Sequence, residues 1–473
     1  MKNHYLYFGL SLLCATTLQA QNYCTPENEA DSLFLGYQLD GNGDPIPVIK
    51  ETVLYAQQVF SIDEWDNSWG CGWANQCENL GLDVYYPDLP AGEKRPLVVL
   101  IHGGAFITGN RTDYAAMAED LAKRGYIAAT IDYRLCKRNN CNGLEWLSEF
   151  LPVWSLICNL NFWNDFGQSA YVATIDAHNA IRYLQDHAAE FHIDPENIIV
   201  GGHSAGGWLA EHVAFLDQDE ANALAGGNNY EALWDTLGPV TGIKGVFNLA
   251  GAMLDTTHID EDEHIPTFFV TGTCDPVICY GYDAPFHCNN SYPKVHGGSE
   301  LALRMHHLGH SYYLFTGEYM GHDVNILNDT WMPELLQFAY NAMLCDSCIQ
   351  EHRVEQLDLN NPDCAILSNP AILQAAHDPL PPINMPLYNC LVDATEPIQN
   401  TKTRIYPVPV SGTYLQLEPE DARLISAYNL MGQPASVHQE VPGRLRIDES
   451  AGIYFLLIEL PDGKREVLKI VVQ

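Results

Sequence analysis

Between residue 82 and about 344 the hydrophobic positions follow a repeating pattern. A short apolar, β-branched run leads into a glycine-containing turn and then into a stretch with helical spacing. The runs predict strands at 82–86, 97–101, 127–132, 198–202, 246–250, 267–271 and 312–315. That alternation predicts an α/β architecture, a doubly wound, mostly parallel sheet with helices on both faces. The clearest helix is expected over 175–189, ending before Asp194-Pro195, where proline's fixed φ and missing N–H oppose continuation.

Three regions break the pattern. Over 136–170 it gives way to an aromatic insertion carrying Trp146, Trp154, Phe162, Trp163 and Phe166, read as a cap over a site. After Cys345 the chain turns rich in Asn, Asp and Pro, so 346–400 is expected to be an extended or crosslinked linker. Over 401–473 short alternating runs separated by Gly, Pro and Asn predict a small all-β sandwich. The α/β unit is thus expected to span 21–345.

Residues 1–20 have a basic start, an apolar stretch over 5–15 and Leu18-Gln19-Ala20, the three-part layout of a secretory signal peptide. A buried N-terminal helix is the plainer alternative. The apolar run is too short to cross a bilayer, and no other segment is a credible membrane span. Neither Cys14 nor Cys24 sits where a lipid anchor needs one. Export without such an anchor is expected.

Composition narrows the partners. Sixty acidic against twenty-three basic residues give a net charge of −37, which repels phosphate backbones and anionic headgroups, so nucleic acid is not an expected partner. A hydrophobic content of 47% belongs to a packed globular protein and not to a disordered chain. Of fourteen cysteines, Cys14 falls in the signal. The rest have short spacings that suggest local disulfides in an oxidising compartment, with one thiol left over. A metal site at Cys345-x-x-Cys348 with Cys364 and Cys390 is the weaker alternative.

The chemistry is carried by sites at strand ends. The segment from Ile198 to Ala210 contains Gly202-His203-Ser204-Ala205-Gly206-Gly207, a buried strand, a tight glycine turn and the small-residue start of a helix. This is the context of a nucleophile elbow, in which the turn lifts a serine hydroxyl clear of the sheet beside the N–H groups of a helix N-terminus. The strand 97–101 runs into His102-Gly103-Gly104-Ala105-Phe106, whose glycine pair can offer backbone N–H groups to a developing oxyanion. An ordinary strand-ending turn is the bland reading. A serine also needs a base and a carboxylate to orient it. Asp275 follows the strand 267–271, and His322 follows the strand 312–315, in the chain order Ser204, Asp275, His322.

Competing residues are Asp283 and Asp255 as reserve acids, and His306, His307 and His310 as alternative bases or a metal cluster. His203, beside Ser204, is expected to be a packing or pocket residue and not a catalyst. Asp40-Gly41-Asn42-Gly43-Asp44 with Glu51 has a calcium-loop spacing, but Pro45 occupies the position where glycine is needed, so a solvated turn is the better reading.

Taken together, these motifs, with Asp132-Tyr133-Arg134-Leu135, Gly272-Thr273-Cys274-Asp275 and Gly321-His322, resemble the α/β-hydrolase fold and its carboxylesterase and hormone-sensitive-lipase-like group. The resemblance implies Ser204 as nucleophile, His322 as base, Asp275 as its orienting acid, and Gly103, Gly104 and Ala205 as oxyanion donors, with no cofactor and no metal. Ala105 departs from the three-glycine version of the first motif, which is associated with bulky tertiary-alcohol esters. Phe106, His203 and Trp163 are the expected substrate contacts.

The final residues, through Tyr406-Pro407-Val408-Pro409, Asn429-Leu430-Met431-Gly432-Gln433, Gly452-Ile453-Tyr454-Phe455 and Lys469-Ile470-Val471-Val472, resemble the C-terminal sorting domain of the type IX secretion system. Val408 departs from the usual Asn between the two prolines. The resemblance implies transport by that machinery across the outer membrane, with release or surface attachment. A carbohydrate-binding or adhesive β-module is the other reading of this tail.

The expected activity is that of an exported serine ester hydrolase acting on short-chain, feruloyl, acetyl-polysaccharide or polyester substrates. Its rivals are a prolyl-oligopeptidase-type peptidase, which normally carries a large upstream propeller, and a surface adhesin on a hydrolase scaffold.

Overall fold

Leu97, Val99 and Ile101 belong to one buried cluster and Val98 and Leu100 to another, so a single strand separates two hydrophobic layers. Successive strands repeat this division and build the central sheet. The computed structural model describes residues 23–24, 33–60, 77–135, 163–224, 239–287, 293–324 and 330–356. Toward the C-terminus it describes 404–406, 414–418, 423–429, 436–441, 444–447, 452–459 and 465–472.

In chain order the elements are β1 (Val48–Phe60), β2 (Cys77–Pro87), β3 (Arg95–Ile101), α1 (Ala115–Lys123), β4 (Ile127–Ile131), α2 (Trp163–Asp186), β5 (Ile193–His203) and α3 (Ala205–Phe215). They continue with α4 (Gln218–Leu224), β6 (Ile243–Leu249), β7 (Ala252–Met253), β8 (Thr267–Gly272), β9 (Tyr282–Asp283) and β10 (Val295–Gly297). Last come α5 (Gly298–Leu308), β11 (Tyr312–Glu318), α6 (Met332–Phe338) and β12 (Gln350–Gln356).

Nine strands form one sheet in the order β1-β2-β4-β3-β5-β6-β8-β11-β12. The pairs β1/β2 and β2/β4 are antiparallel, and every pair from β4/β3 to β11/β12 is parallel. Helices α2, α3 and α5 contribute to one cluster and α1 and α6 to the other, so the sheet is covered on both faces. This is the α/β-hydrolase architecture. The short strands β7, β10 and β9 form a separate antiparallel ribbon.

Two sequence expectations are corrected at the sheet's edges. The strand β1 was not expected at all. It is an outer strand with Ile49 and Leu54 exposed, so burial leaves no clear mark on its sequence. The strand β12 lies inside the stretch 346–400 expected to be a linker, and it pairs along its whole length with β11. Its inward positions are polar, Gln350 and His352, held by hydrogen bonds from Gln350 Nε2 to the His310 carbonyl (2.9 Å) and between His352 Nε2 and Thr316 Oγ1 (2.9 Å). The helix expected over 175–189 also begins earlier, at Trp163.

The disulfide expectation changes as well. Cys24 is joined to Cys345 across 321 residues, which is not a local bridge. Cys274 and Cys348 are also disulfide-bonded, so the metal reading of Cys345-x-x-Cys348 is overturned. Cys279 is a free, buried thiol. Beside Cys24, the buried Tyr23 donates its hydroxyl to Asp194 Oδ2 at 3.1 Å.

In the C-terminal region the strands β13 (Arg404–Tyr406), β14 (Tyr414–Glu418), β15 (Arg423–Asn429), β16 (Val437–Val441), β17 (Arg444–Ile447), β18 (Gly452–Glu459) and β19 (Arg465–Val472) form two antiparallel sheets. Their orders are β13-β14-β17-β16 and β15-β18-β19. Leu445 and Ile447 on one sheet, and Leu456 and Ile458 on the other, are buried at alternate positions, the mark of a face turned inward. The expected signal over 1–20, most of the aromatic insertion and most of the expected linker lie outside the described residues.

Candidate active site

The turn that carries Ser204 is dictated by crowding. Ser204 follows the last residue of β5 and caps α3 with φ 57° and ψ −122°, a conformation that costs a non-glycine residue about 1–3 kcal/mol. A Cβ on Gly206 would lie 1.9 Å from the Ile101 carbonyl, and one on Gly202 would lie 2.2 Å from the same oxygen. Only glycine lets α3 start this close to β3. The Ser204 N–H donates to the Leu249 carbonyl at 2.7 Å, which ties the turn to the end of β6.

Asp275 and His322 arrive from the ends of neighbouring strands, β8 and β11. Ser204 Oγ donates to His322 Nε2 at 2.8 Å, and His322 Nδ1 donates to Asp275 Oδ2 at 2.8 Å. Asp275 Oδ1 accepts the N–H groups of Val277 (2.8 Å) and Ile278 (2.9 Å), which fixes the carboxylate plane. Asp275 is buried, whereas the His322 side chain keeps 14% of its surface exposed. The two loops are stapled together: Cys274 N–H donates to the Met320 carbonyl (3.0 Å) and Tyr319 N–H to Thr273 Oγ1 (2.9 Å). Three residues expected together from sequence therefore form one hydrogen-bonded chain of hydroxyl, imidazole and carboxylate.

The glycine turn after β3 lies against this chain. A Cβ on Gly103 would sit 3.3 Å from Ser204 Cβ, and Gly104 has φ 105°, a region that glycine enters freely. The Tyr133 hydroxyl contacts the carbonyls of His102 (2.9 Å) and Gly103 (3.2 Å), and His102 Nδ1 donates to the Gly103 carbonyl at 2.8 Å. A trans peptide places N–H opposite C=O, so holding these two carbonyls also aims the N–H groups of Gly103 and Gly104. Ala205 begins α3, where the first N–H groups lack intrahelical acceptors. Next to Tyr133, Arg134 forms a buried, multiply hydrogen-bonded ion pair with Asp176, Nη2 and Oδ1 2.7 Å apart. Burial pushes the Asp176 carboxyl up, against the opposing pull of Arg134.

Other sequence candidates are placed elsewhere. Phe106 belongs to the main core, fully buried with its ring edge-on to Tyr133 and Trp208, so its expected substrate contact is corrected to a packing role. His203 lines a cavity of about 360 Å³ with Gly103, Gly104, Thr108, Gly109, Asp113 and Tyr114. The side chain of Trp163 lies outside the described residues. Asp255 caps a short 3-10 turn by accepting from Thr257, and Asp283 lies on β9 near Lys294, so neither reserve acid serves His322. His306 and His307 close α5, and His310 Nε2 meets the Glu261 carbonyl. Asp40 Oδ1 accepts from the N–H groups of Asn42 and Asp44, a solvated turn, while Glu51 bonds the Tyr86 hydroxyl instead.

Sequence reasoning missed one buried group beside the elbow. Glu211 on α3 accepts from Asn248 Nδ2 at 2.9 Å, and Asn248 Oδ1 accepts the Gly251 N–H at 2.7 Å. A charged residue one place past the apolar start of a helix was the only available signal.

Comparisons with known proteins give partial likenesses. The BD-FAE family matches residues 82–143 and 157–240. Human carboxylesterase 3 is 41% identical over 81 residues, 17% of this chain and 12% of that protein. Methylphloroacetophenone synthase of Cladonia uncialis is 36% identical over 90 residues, 16% of this chain and 4% of the synthase. The chain thus spans only a small part of the length of these curated relatives. Among solved structures, an esterase of Thermogutta terrifontis with bound propionate is 18% identical with a TM-score of 0.40, covering 63% of this chain and 94% of its own.

Proposed function

We propose that the protein is a serine carboxylic-ester hydrolase with Ser204 as nucleophile, His322 as general base and Asp275 as the acid that orients it. The observation that carries this reading is the hydrogen-bonded chain from Ser204 Oγ through His322 to Asp275 at a strained elbow. The local likeness to a carboxylesterase supports the same reaction class.

In this reading Ser204 attacks the ester carbonyl while His322 Nε2 takes the hydroxyl proton. Negative charge forms on the carbonyl oxygen beside the N–H groups of Gly103, Gly104 and Ala205. Asp275 holds the imidazole with Nδ1–H turned toward it, so that Nε2 is free to accept. His322 then returns the proton to the departing alcohol and leaves an acyl-serine. Water, deprotonated by the same imidazole, releases the acid and restores the hydroxyl.

The substrates proposed are short-chain, feruloyl, acetyl-polysaccharide or polyester esters. The route proposed is export through a signal over 1–20 and a type IX sorting domain over 401–473. The test is a comparison of the full chain with Ser204→Ala on p-nitrophenyl esters of rising chain length, methyl ferulate, acetylated xylan and a peptide amide. Ester turnover lost in the variant supports the proposal. Amide cleavage favoured over esters moves the reading to a peptidase, and no turnover by the parent chain sinks it.

A further inference from the structure

His203 stands between the nucleophile and the base in a way the proposed reaction does not use. Its ring lies 4.8 Å from that of His322, centroid to centroid, and its Nε2 is 2.7 Å from the backbone carbonyl oxygen of His322. A carbonyl oxygen only accepts, so Nε2 carries the proton and, in the neutral ring, Nδ1 carries a lone pair. Burial, and then the neighbouring His322, push its pKa down to about 4, so the ring is neutral at ordinary pH. With its lone pair at Nδ1, His203 has no second N–H to give an oxyanion.

The backbone around His322 is tied on two sides. Toward the acid, Thr273 and Cys274 hold Tyr319 and Met320. Toward the elbow, the tie runs through the ring of His203, the residue that immediately precedes Ser204. The second lone pair of the His322 carbonyl takes the Val324 N–H at 2.9 Å, so this oxygen is fully engaged.

We propose that His203 is a positioning residue, whose Nε2–H clamps the base-bearing loop to the nucleophile turn and thereby sets the approach of His322 Nε2 to Ser204 Oγ. The proposal rests on the ester-hydrolase reading of the same site. A side chain fixed in sequence to the nucleophile is suited to this task, because any shift of the turn carries the base with it. Misplacement of reacting groups by about 1 Å can cost about 100-fold in rate.

The test compares His203→Gln, His203→Asn and His203→Phe in the full chain on p-nitrophenyl acetate. Glutamine carries an amide N–H at the reach of Nε2, asparagine stops short of it, and phenylalanine keeps the ring without a donor. The expected result is a fall in kcat of about 10- to 100-fold for Phe and Asn, with KM little changed and kcat largely restored in Gln. Wild-type kcat in the Phe variant, or equal losses in folded Gln and Asn variants, overturns the proposal. The ring ¹⁵N shifts of His203 in the unsubstituted protein give a readout independent of variant folding: the Nε2–H tautomer is expected, and the Nδ1–H tautomer overturns the clamp. If the parent chain cleaves no ester, the functional reading fails on its own, and the tautomer still decides whether the tie exists.

Discussion

His322 Nδ1 lies 2.8 Å from one carboxylate oxygen of Asp275, and the other oxygen is held by the N–H groups of Val277 and Ile278. The acid is thus locked by its own loop and has no freedom to follow the imidazole. Replacing Asp275 with Asn preserves the shape but turns an N–H toward Nδ1, which favours the wrong tautomer of His322. The expected outcome is a loss of about 10⁴ in kcat with the fold intact. Steady-state kinetics beside a far-ultraviolet dichroism spectrum check it, and a loss of under tenfold would remove Asp275 from its proposed role.

Tyr133 touches two consecutive carbonyls of the glycine turn, so its hydroxyl governs where two N–H groups point. Tyr133→Phe keeps the ring stacked on His102, 4.2 Å away, and deletes only the hydroxyl. Each preorganised oxyanion donor is worth about 10² to 10³ in turnover. A fall of about 10- to 100-fold in kcat, with KM nearly unchanged, is expected from partial loss of their aim. Unchanged kcat would show that the glycine turn orients itself.

Glu211 is buried on the elbow helix, and that burial raises its carboxyl to about 8, opposed by the Asn248 hydrogen bond. Between the unfolded value, about 4.5, and about 8 the folded chain keeps a proton that the unfolded chain has released. Stability therefore declines as pH rises through this window and levels off above it. The total change is on the order of a few kcal/mol. Glu211→Gln retains a carbonyl acceptor for Asn248 and is expected to flatten the slope in urea unfolding between pH 5 and 9. An identical slope in both proteins would assign the pH dependence elsewhere.

Gly206 has no room for a methyl group, since its Cβ would meet the Ile101 carbonyl at 1.9 Å. Gly206→Ala must therefore push α3 away from β3 or fail to fold. The expected outcome is loss of ester turnover together with a destabilisation of roughly 3 kcal/mol or more, as for overpacking of a close-packed interior. Thermal unfolding at the parent midpoint would contradict the crowding described above.

The seven strands expected from apolar runs fall on β2, β3, β4, β5, β6, β8 and β11, because these inner strands bury both faces and leave continuous hydrophobic segments. The outer strands left no such mark. β1 exposes Ile49 and Leu54, and β12 fills its inward positions with Gln350 and His352. Ser204, Asp275 and His322 could be read together because each follows a strand end in a glycine-bearing turn. Tyr133 and Glu211 were not legible in the same way. Their partners lie far away in sequence or on another element, and no local pattern announces such a contact. Phe106 was misread because adjacency to the glycine turn says nothing about which way a side chain faces.

The bond between Cys24 and Cys345 makes the stretch between them a covalent ring that encloses the candidate active site. A protease that nicks one surface loop inside this ring opens the circle without parting its halves, and only a reductant would then separate them. The chain just past residue 345 stays tied to that circle, since Cys348 is itself disulfide-bonded and β12 pairs with β11, so a cut that spares the sheet falls beyond Gln356.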